Sequence, residues 1–307
     1  MAHCFVTRRL PGNALDRLAA AHEVEVWPDQ LPPGYEVLRE QAARSEGLLT
    51  LLSDRIDAEL IDSSPRLQAV ANYAVGYDNI DLEAARRRGI QVGNTPDVLT
   101  DATADLAFAL LLAAARHLPQ SIEAVKLGDW LTWGPGMYLG AAVHGATLGI
   151  IGLGRIGRAV AQRGAGFEMT VLHTGREGGV PLARLLADSD FVSIHCPLTP
   201  ETRHLIDDRA LTAMRPSAIL INTARGPIID SDALGWALRD GVIAGAALDV
   251  TEPEPLPADH QLLQAPNLIV TPHIGSATRA ARERMADLAV ENLLAGLSGQ
   301  PMPHGLD

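Results

Sequence analysis

The first hundred residues alternate short apolar runs with segments whose apolar residues recur at helical spacing. This pattern predicts strands at 3–7, 24–27, 47–52 and 67–72, and helices at 13–21 and 34–45. Strands that alternate with helices usually pair in parallel, and the helices then cover the faces of the sheet. We therefore expect an α/β domain here.

A second alternating series follows. Its strands are predicted at 147–151, 168–172, 191–194, 217–221, 244–248 and 268–271. The helix predicted over 101–116 is apolar almost all round, so we expect it to be buried between domains or between subunits. A last amphipathic helix over 277–299 can cross back to the first domain. The chain is thus predicted to form two Rossmann-like α/β domains with parallel sheets, one from 1–98 and 279–307 and the other from 99–278.

Composition limits the partners. The formal net charge of −12 at pH 7 disfavours nucleic acid and anionic membrane as partners. The N-terminus has no signal-peptide pattern, and the apolar run 106–115 is too short to cross a bilayer, so a cytoplasmic protein is expected. Two cysteines, Cys4 and Cys196, allow at most one disulfide and no metal cluster, and we predict no metal site.

The segment "TLGIIGLGRIGRAVAQ" contains Gly152, Gly154 and Gly157 at G-x-G-x-x-G spacing. The pattern alone is weak, but here a predicted strand precedes it and a helix follows at once. Gly152 permits a tight turn, Gly154 lets the backbone approach a pyrophosphate, and Gly157 lets helix and strand pack closely. This context favours a dinucleotide site over a simple strand–helix turn.

The stretch "VLHTGRE" bears on the choice of cofactor. An acid usually follows the second strand of such a domain and binds the ribose 2′-hydroxyl, whereas this chain has Thr174, Gly175 and Arg176. A hydroxyl and a guanidinium suit a 2′-phosphate, so NADP(H) is favoured and NAD(H) is the alternative. In the alternative, Arg176 points to water or Glu177 binds the ribose.

Three candidate catalytic residues follow predicted strands of the second series. Arg225 lies in "INTARGPIID", Glu254 in "LDVTEPEP" and His273 in "TPHIGSAT". Ligands gather beyond the carboxyl ends of parallel strands, so the three loops can converge on one crevice with the glycine turn. Taken singly, an ion-pair partner, a loop charge and a loop histidine are equally good interpretations. Their shared position favours a site.

These motifs, together with "NYAVGYDNID", "GIQVGNTPDVLTDATAD" and "HCPLTPETRHLI", resemble the D-isomer-specific 2-hydroxyacid dehydrogenase family, and most closely its glyoxylate/hydroxypyruvate reductase branch. The resemblance covers nearly the whole chain. It implies that Arg225 binds the substrate carboxylate and polarises the keto oxygen, and that His273 protonates this oxygen. Glu254 pairs with the imidazole, and a neighbouring carboxylate favours the proton-donating imidazolium. Glu252, two residues before Glu254, is not the matching acid.

The resemblance also implies roles for other residues. Val75 and Gly76 offer backbone N–H groups to the substrate carboxylate, Ser276 lines the site, and Trp133 reaches the partner's site in a homodimer, although a core aromatic is an equal interpretation of Trp133. The first domain is then a flavodoxin-like substrate-binding domain and the second binds NAD(P). The cofactor contacts are placed at Gly152, Leu153, Gly154, Arg155, Ile156, Gly157, Thr174, Arg176, Cys196, Pro197, Leu198, Thr202, Thr223, Ala224, Asp249, His273 and Gly275.

The chain departs from this family in one place. Only residues 178–188 separate "HTGRE" from the next predicted strand, enough for a single helix. The cofactor domain is therefore predicted to lack its third strand, an edge strand, and the helix that leads to it. This side of the sheet normally borders the adenine, so the choice between NADP and NAD depends on it.

The sequence as a whole predicts an NADPH-dependent reductase that converts glyoxylate, hydroxypyruvate or a similar small 2-keto acid to the D-2-hydroxy acid. The rival enzymes are an NAD-dependent dehydrogenase of another 2-hydroxyacid, of phosphite or of formate. A non-catalytic dinucleotide-sensing regulatory module is a rival from another class. The complete set of Arg225, Glu254 and His273 argues against it, because a binding module needs no proton donor.

Overall fold

A computed structural model describes residues 1–176 and 178–306 of the chain. It divides into two compact units. Unit 1 comprises Met1–Leu99 and the segment from Ala277 to the C-terminus, and unit 2 comprises Thr100–Ser276. Both units are α/β structures built around a mainly parallel sheet.

The strands are β1 (His3–Val6), β2 (Glu23–Val26), β3 (Gly47–Thr50), β4 (Ala69–Asn72), β5 (Gln91–Gly93), β6 (Thr147–Ile151), β7 (Thr170–Gly175), β8 (Gly178–Gly179), β9 (Phe191–Ile194), β10 (Ile219–Asn222), β11 (Gly245–Leu248) and β12 (Leu268–Val270). The α-helices are α1 (Ala14–Ala21), α2 (Tyr35–Arg44), α3 (Ala58–Asp62), α4 (Leu82–Arg87), α5 (Thr100–Ala115), α6 (Leu118–Leu127), α7 (Arg155–Ala165), α8 (Leu182–Asp188), α9 (Asp208–Thr212), α10 (Ser231–Arg239) and α11 (Arg279–Leu297).

Unit 1 has the flavodoxin-like strand order β2-β1-β3-β4-β5, with every pair parallel. The central strands β3 and β4 are buried along their whole length, which explains their mainly apolar sequence. Helix α11 packs on this sheet: a Cβ on Gly47 would lie 3.1 Å from the Leu293 side chain. The C-terminal helix therefore belongs to the unit formed by the N-terminal residues.

The C-terminal segment covers the free edge of β5. Gly305 pairs antiparallel with Gly93, Leu306 donates its backbone N–H to Val92 at 2.7 Å, and Asn94 donates to the His304 carbonyl at 3.1 Å. A covered edge offers no unpaired backbone groups to another strand.

Unit 2 has the strand order β12-β11-β10-β9-β6-β7-β8. All neighbours are parallel except β7 and β8, which pair antiparallel through Thr174 with Gly179 and Gly175 with Gly178. The position beside β7, where the sequence predicted that an edge strand is missing, is therefore taken by a two-residue antiparallel strand that was not predicted. Helix α8 then leads directly to β9, so a single helix spans this interval, as its length predicted.

Helices α5 and α6 differ in their surroundings. Helix α5 packs into the core of unit 2, where Phe108 and Leu111 are buried with Ile150 and Ile221. The sequence predicted that α5 is buried between domains or between subunits; it did not predict this role in the core of unit 2. Helix α6, which the sequence did not predict, has every residue at least partly exposed. Among the described residues, the helices lack the combination of length and apolar character that crossing a bilayer requires.

Candidate active site

The three candidate catalytic residues follow three adjacent strands of unit 2. Strands β10, β11 and β12 lie side by side and end at Asn222, Leu248 and Val270. Their carboxyl ends lie at the same edge of the sheet, and the loops that follow carry Arg225, Glu254 and His273. The tertiary structure thus brings together residues that are far apart in the sequence.

His273 and Glu254 form a short charge-assisted pair. The Nδ1 atom of His273 lies 2.5 Å from Oε1 of Glu254. Burial alone would raise the pKa of Glu254. The hydrogen bond and charge of His273, the Thr251 N–H at 3.3 Å and the charge of Arg225 outweigh burial, so the pKa of Glu254 lies below its usual value. Glu254 is therefore a carboxylate at neutral pH.

The ionised carboxylate fixes the tautomer of His273. A carboxylate only accepts hydrogen bonds, so Nδ1 must carry a hydrogen and donate it to Glu254. The other ring nitrogen, Nε2, is then the atom that gains or loses a proton. This arrangement orients an imidazole for general acid–base chemistry at Nε2.

Glu252 has different partners. Its carboxylate is bound by Arg203 through one oxygen and by Nε2 of His204 at 3.0 Å through the other. These contacts lower the pKa of Glu252 even though its partial burial acts the other way. The two glutamates of "TEPEP" thus have different partners, and of the two only Glu254 contacts His273.

Arg225 lies in a loop with a fixed backbone. The buried side chain of Asn222 accepts the Ala224 N–H at 3.0 Å and donates to the Arg225 carbonyl at 2.8 Å. A Cβ on Gly226 would lie only 2.0 Å from the Thr251 carbonyl oxygen, so only glycine allows this loop to meet the loop that carries Glu254. This close contact fixes the backbone of the Arg225 loop against the backbone of the Glu254 loop.

The loop that carries His273 is held by Asp249. The buried Asp249 carboxylate accepts the backbone N–H groups of Ile274 at 2.8 Å and Gly275 at 2.7 Å, and also the Thr271 hydroxyl at 2.6 Å. His273 has φ +53°, a left-handed conformation that is uncommon outside glycine. A strained backbone of this kind persists when its surroundings determine it, and it is often found at functional sites.

The glycine turn between β6 and α7 has the geometry of a phosphate site. Gly152 has φ +94°, and a Cβ there would lie 2.6 Å from the Cys196 nitrogen; a Cβ on Gly157 would lie 2.3 Å from the Gly152 carbonyl. Gly154 begins α7 without a side-chain cap, and the space beside its Cα is open. The start of α7 therefore points its positive dipole end at this turn, an arrangement that favours an anion.

The residues predicted to distinguish NADP from NAD lie beside this turn. Thr174 belongs to β7 and accepts the Gly152 N–H at 2.9 Å, and Arg176 follows β7 on the surface. The Glu201 carboxylate lies close enough for the charge of Arg176 to help lower its pKa, although a hydrogen bond from Thr199 is the larger cause. The alternative ribose ligand, Glu177, lies outside the described residues.

The loop after β9 lies against the glycine turn. Burial raises the pKa of the Cys196 thiol to about 11, so it remains neutral. Pro197 is exposed and Leu198 is half-buried, and the Thr202 hydroxyl donates to the Pro197 carbonyl at 2.7 Å, which closes the loop on itself. Leu153 and Ile156, also predicted contacts, are partly exposed in the turn and the first helical residues.

A buried hydroxyl supports the fit of a dinucleotide. The Oγ1 atom of Thr223, beside Ala224, is buried and has no hydrogen-bond partner among the described residues. Buried polar groups normally have partners, so this hydroxyl suits a bound polar group. Together with the uncapped start of α7, it shows that the residues present fit a dinucleotide.

Three other predicted substrate contacts are placed as follows. Ser276 is half-buried directly after Gly275, and Trp133 is exposed in a loop. Val75 lies in unit 1 after β4, and its carbonyl accepts the Asn94 side chain at 2.7 Å. Sequence reasoning missed Asn94 and Asn222; a polar amide directly after an apolar strand is the signal that could have indicated them.

Comparison with known proteins defines the class. The family model described as "D-isomer specific 2-hydroxyacid dehydrogenase, NAD binding domain" matches residues 108–275. This match makes unit 2 the nicotinamide-dinucleotide-binding unit of an oxidoreductase.

Relatives match over nearly the whole chain. A protein of Thermococcus gammatolerans named glyoxylate reductase is 50% identical over 97% of this chain and 94% of its own. The crystal structure of a Thermus thermophilus protein is 49% identical, with a TM-score of 0.93 and coverage of 99% of this chain and 100% of that one. An NADPH-dependent glyoxylate/hydroxypyruvate reductase from Sinorhizobium meliloti, in complex with NADP and malonate, is 34% identical with a TM-score of 0.88, covering 99% and 96%. The chain belongs to the D-isomer-specific 2-hydroxyacid dehydrogenase family and is an NAD(P)-dependent oxidoreductase.

Proposed function

We propose that the protein reduces glyoxylate, hydroxypyruvate or a similar small 2-keto acid to the D-2-hydroxy acid, with NADPH as the reductant and His273 as the general acid. The observation that carries this proposal is the 2.5 Å contact between His273 Nδ1 and Glu254 Oε1, beside the Arg225 loop. The names of the relatives from T. gammatolerans and S. meliloti support the choice of substrate.

The cofactor would be held by unit 2. The N–H groups at the start of α7, beside Gly154, would bind the pyrophosphate, and the Thr223 hydroxyl would gain a partner. NADPH supplies the hydride when bound. Asp249 was predicted to contact the nicotinamide; its carboxylate also determines the backbone around His273, so it serves the site in either case.

His273 would deliver the proton. Glu254 holds Nδ1–H and, as a carboxylate, stabilises the positive charge of the imidazolium, so the proton on Nε2 is the one released. In the reverse direction the same Nε2 atom, unprotonated, accepts the proton of a hydroxy acid. One residue thus acts as acid in reduction and as base in oxidation.

Arg225 would bind and polarise the substrate. Its guanidinium can engage a carboxylate and a neighbouring keto oxygen with separate N–H donors. The backbone N–H groups of Val75 and Gly76, in unit 1, would receive the substrate carboxylate. In this proposal unit 1 binds the substrate, unit 2 binds the cofactor, and Ser276 lines the site.

The preference for NADPH over NADH rests on the residues after β7. Thr174 and Arg176 offer a hydroxyl and a guanidinium, groups that suit a 2′-phosphate. The S. meliloti relative is described as NADPH-dependent, which supports the same choice.

We also infer that the protein forms a homodimer. Residues 118–139 of unit 2 carry an unusual number of exposed apolar side chains: Leu118, Ile122, Val125, Leu127, Trp130, Leu131, Trp133, Met137, Tyr138 and Leu139. A patch of this kind on a soluble protein usually contacts another protein surface. A second copy of the chain is the partner we propose, and Trp133 would then enter the partner's site.

A kinetic panel tests the proposal. Initial rates with glyoxylate, hydroxypyruvate, pyruvate, formate and phosphite, each with the NADP and NAD forms of the cofactor, should give the highest kcat/KM for a small keto acid with NADPH. His273→Ala and Arg225→Ala should each lower kcat/KM by at least about a hundredfold. Near-normal rates in both variants would refute the site, and cofactor binding without turnover on any compound would favour the regulatory module.

A further inference from the structure

We infer that Asn94 and Asn72 are positioning residues that orient the peptide N–H groups of Val75, Gly76 and Tyr77 for the substrate carboxylate. This inference rests on the proposed function, because it concerns how unit 1 recognises the anion. None of the residues that act as donors in this arrangement was predicted from the sequence. Each of these donors lies at the end of a strand of unit 1 or within two residues after it.

Three successive carbonyls of this loop are bound from the same two strand ends. The Ala74 carbonyl accepts the Thr95 N–H at 2.9 Å, and the Val75 carbonyl accepts Asn94 Nδ2 at 2.7 Å. The Gly76 carbonyl accepts Asn72 Nδ2 at 2.9 Å. Asn72 ends β4, and Asn94 and Thr95 follow β5.

The planar trans peptide converts these bonds into an orientation of the N–H groups. In each peptide the N–H points away from the carbonyl of the preceding residue. With the three carbonyls bound by Asn72, Asn94 and Thr95, the N–H groups of Val75, Gly76 and Tyr77 point away from these donors. None of the three N–H groups donates to an acceptor among the described residues.

These unpaired donors lie where solvent or a ligand can reach them. Val75 and Gly76 are half-buried and Tyr77 is exposed, whereas Asn72 and Asn94 are buried. Successive backbone N–H groups without partners form a favourable anion site. The buried amides therefore hold the loop from behind while its donors face outward.

A second layer secures Asn94. The fully buried Asn292 of α11 donates Nδ2 to the Asn94 carbonyl at 2.8 Å, and its Oδ1 accepts the His304 N–H at 2.9 Å. The backbone N–H of Asn94 donates to the His304 carbonyl at 3.1 Å. The backbone carbonyl and N–H of Asn94 are thus both hydrogen-bonded, and its side chain is held toward Val75.

The test removes the donor and keeps the volume. Asn94→Leu leaves the Val75 carbonyl without its donor, so we expect its peptide to turn and the KM for glyoxylate to rise at least about tenfold, with kcat within about threefold. Asn94→Ala leaves space for a water molecule that can replace the donor, so its effect should be smaller. If Asn94→Leu does not fold, Asn94→Ala carries the test through the same readouts.

Two further readouts separate positioning from a loss of stability. Glyoxal has a reducible carbonyl and no carboxylate, so its kcat/KM should change less than about twofold in Asn94→Leu. Leu60→Ala, a cavity in the core of unit 1, lowers the melting temperature and should leave the KM for glyoxylate unchanged. An unchanged KM for glyoxylate in Asn94→Leu, or an equal loss with glyoxal, would overturn the inference.

Oxalate binding, measured by calorimetry, needs no turnover. Oxalate carries the carboxylate that the loop is proposed to receive, and its affinity should fall about tenfold in Asn94→Leu. If the wild-type protein binds oxalate but does not reduce glyoxylate, the proposed substrate is wrong while the positioning role is still measured. Failure of the wild-type protein to bind oxalate, or equal binding by both proteins, would overturn the positioning role itself.

Discussion

Asp249 holds the backbone on both sides of His273. The Asp249 carbonyl accepts the His273 N–H at 2.9 Å, while its carboxylate accepts the N–H groups of Ile274 and Gly275. A Cβ on Gly275 would lie 3.2 Å from this carboxylate, which leaves little room for a side chain. One buried acid, Asp249, which directly follows β11, thus holds the backbone around His273.

Asp249→Asn should disrupt this arrangement. An amide turns an NH₂ group toward at least one backbone donor, so we expect a loss of stability of about 2 kcal/mol and a fall in kcat. Thr271→Val removes only the hydroxyl that bonds to the same carboxylate and should cost about 1 kcal/mol. Denaturant unfolding and kcat measurements check both; an Asn variant as stable and active as the wild type would contradict the role.

The two glutamates of "TEPEP" provide a test variant, at Glu254, and a matched control, at Glu252. Glu254→Gln keeps a hydrogen-bonding group beside His273 and removes the charge that favours imidazolium. We expect kcat/KM for reduction to fall about a hundredfold. Glu252→Gln, which loses only contacts with Arg203 and His204, should stay within about twofold of wild type. Similar losses in both variants would show that the pairing with His273 is not what matters.

Acid should weaken the same pair in a defined pH range. The pKa of Glu254 lies below its ordinary value of 4.5, so its ionised form stabilises the folded state. That contribution is complete above pH 4.5 and is lost as the pH falls through the lower folded-state pKa. The difference in melting temperature between wild type and Glu254→Gln should therefore be constant near neutrality and should decrease at lower pH. A difference that grows on acidification would contradict the sign.

Cofactor choice can be tested at the exposed end of β7. Arg176→Ala removes the guanidinium proposed to bind the 2′-phosphate, so the ratio of kcat/KM for NADPH to that for NADH should fall at least about tenfold. Arg184→Ala, an exposed arginine of α8 paired with Asp188, is the control and should leave the ratio unchanged. A wild-type ratio near or below unity would remove the preference for NADPH.

The proposed dimer can be tested with two exposed leucines. Leu131 is 89% exposed within the apolar segment 118–139, and Leu31 is 77% exposed in unit 1 outside it. Leu131→Asp should convert a dimer to a monomer in light scattering after size exclusion, because burying an unpaired charge is costly. Leu31→Asp should not alter the mass. A monomeric wild-type protein, or dissociation by both substitutions equally, would refute this interface.

The fold followed from the sequence where periodicity was strong. The fully buried strands β3, β4, β9 and β10 are mostly apolar, and the α/β class predicted from such runs is confirmed, as is the family predicted from the motifs. Strand β7 begins at Thr170 rather than at 168, because Glu168 has φ +55° and cannot continue an extended strand. The two-residue strand β8 was missed because two glycines carry no hydrophobic pattern.

The identity of the candidate residues could also be derived from the sequence. Arg225, Glu254 and His273 each follow an apolar strand, and the chain contains the glycine spacing that a dinucleotide requires. Local sequence carries this information because strand ends and tight turns depend on residues close together in the chain. The pairing of Glu254 rather than Glu252 with His273 was derived from the family pattern alone.

Only the tertiary structure decided what holds these residues in place. Asp249 with Gly275, Asn222 with Arg225, and Asn292 with Asn94 are contacts whose distance and direction a single sequence does not specify. Burial made them necessary, because a buried carbonyl or N–H must find a partner wherever the fold brings one. The sequence by itself determined which groups are candidates for the chemistry, and the packing of the strands and helices decided which buried amides and acids hold them.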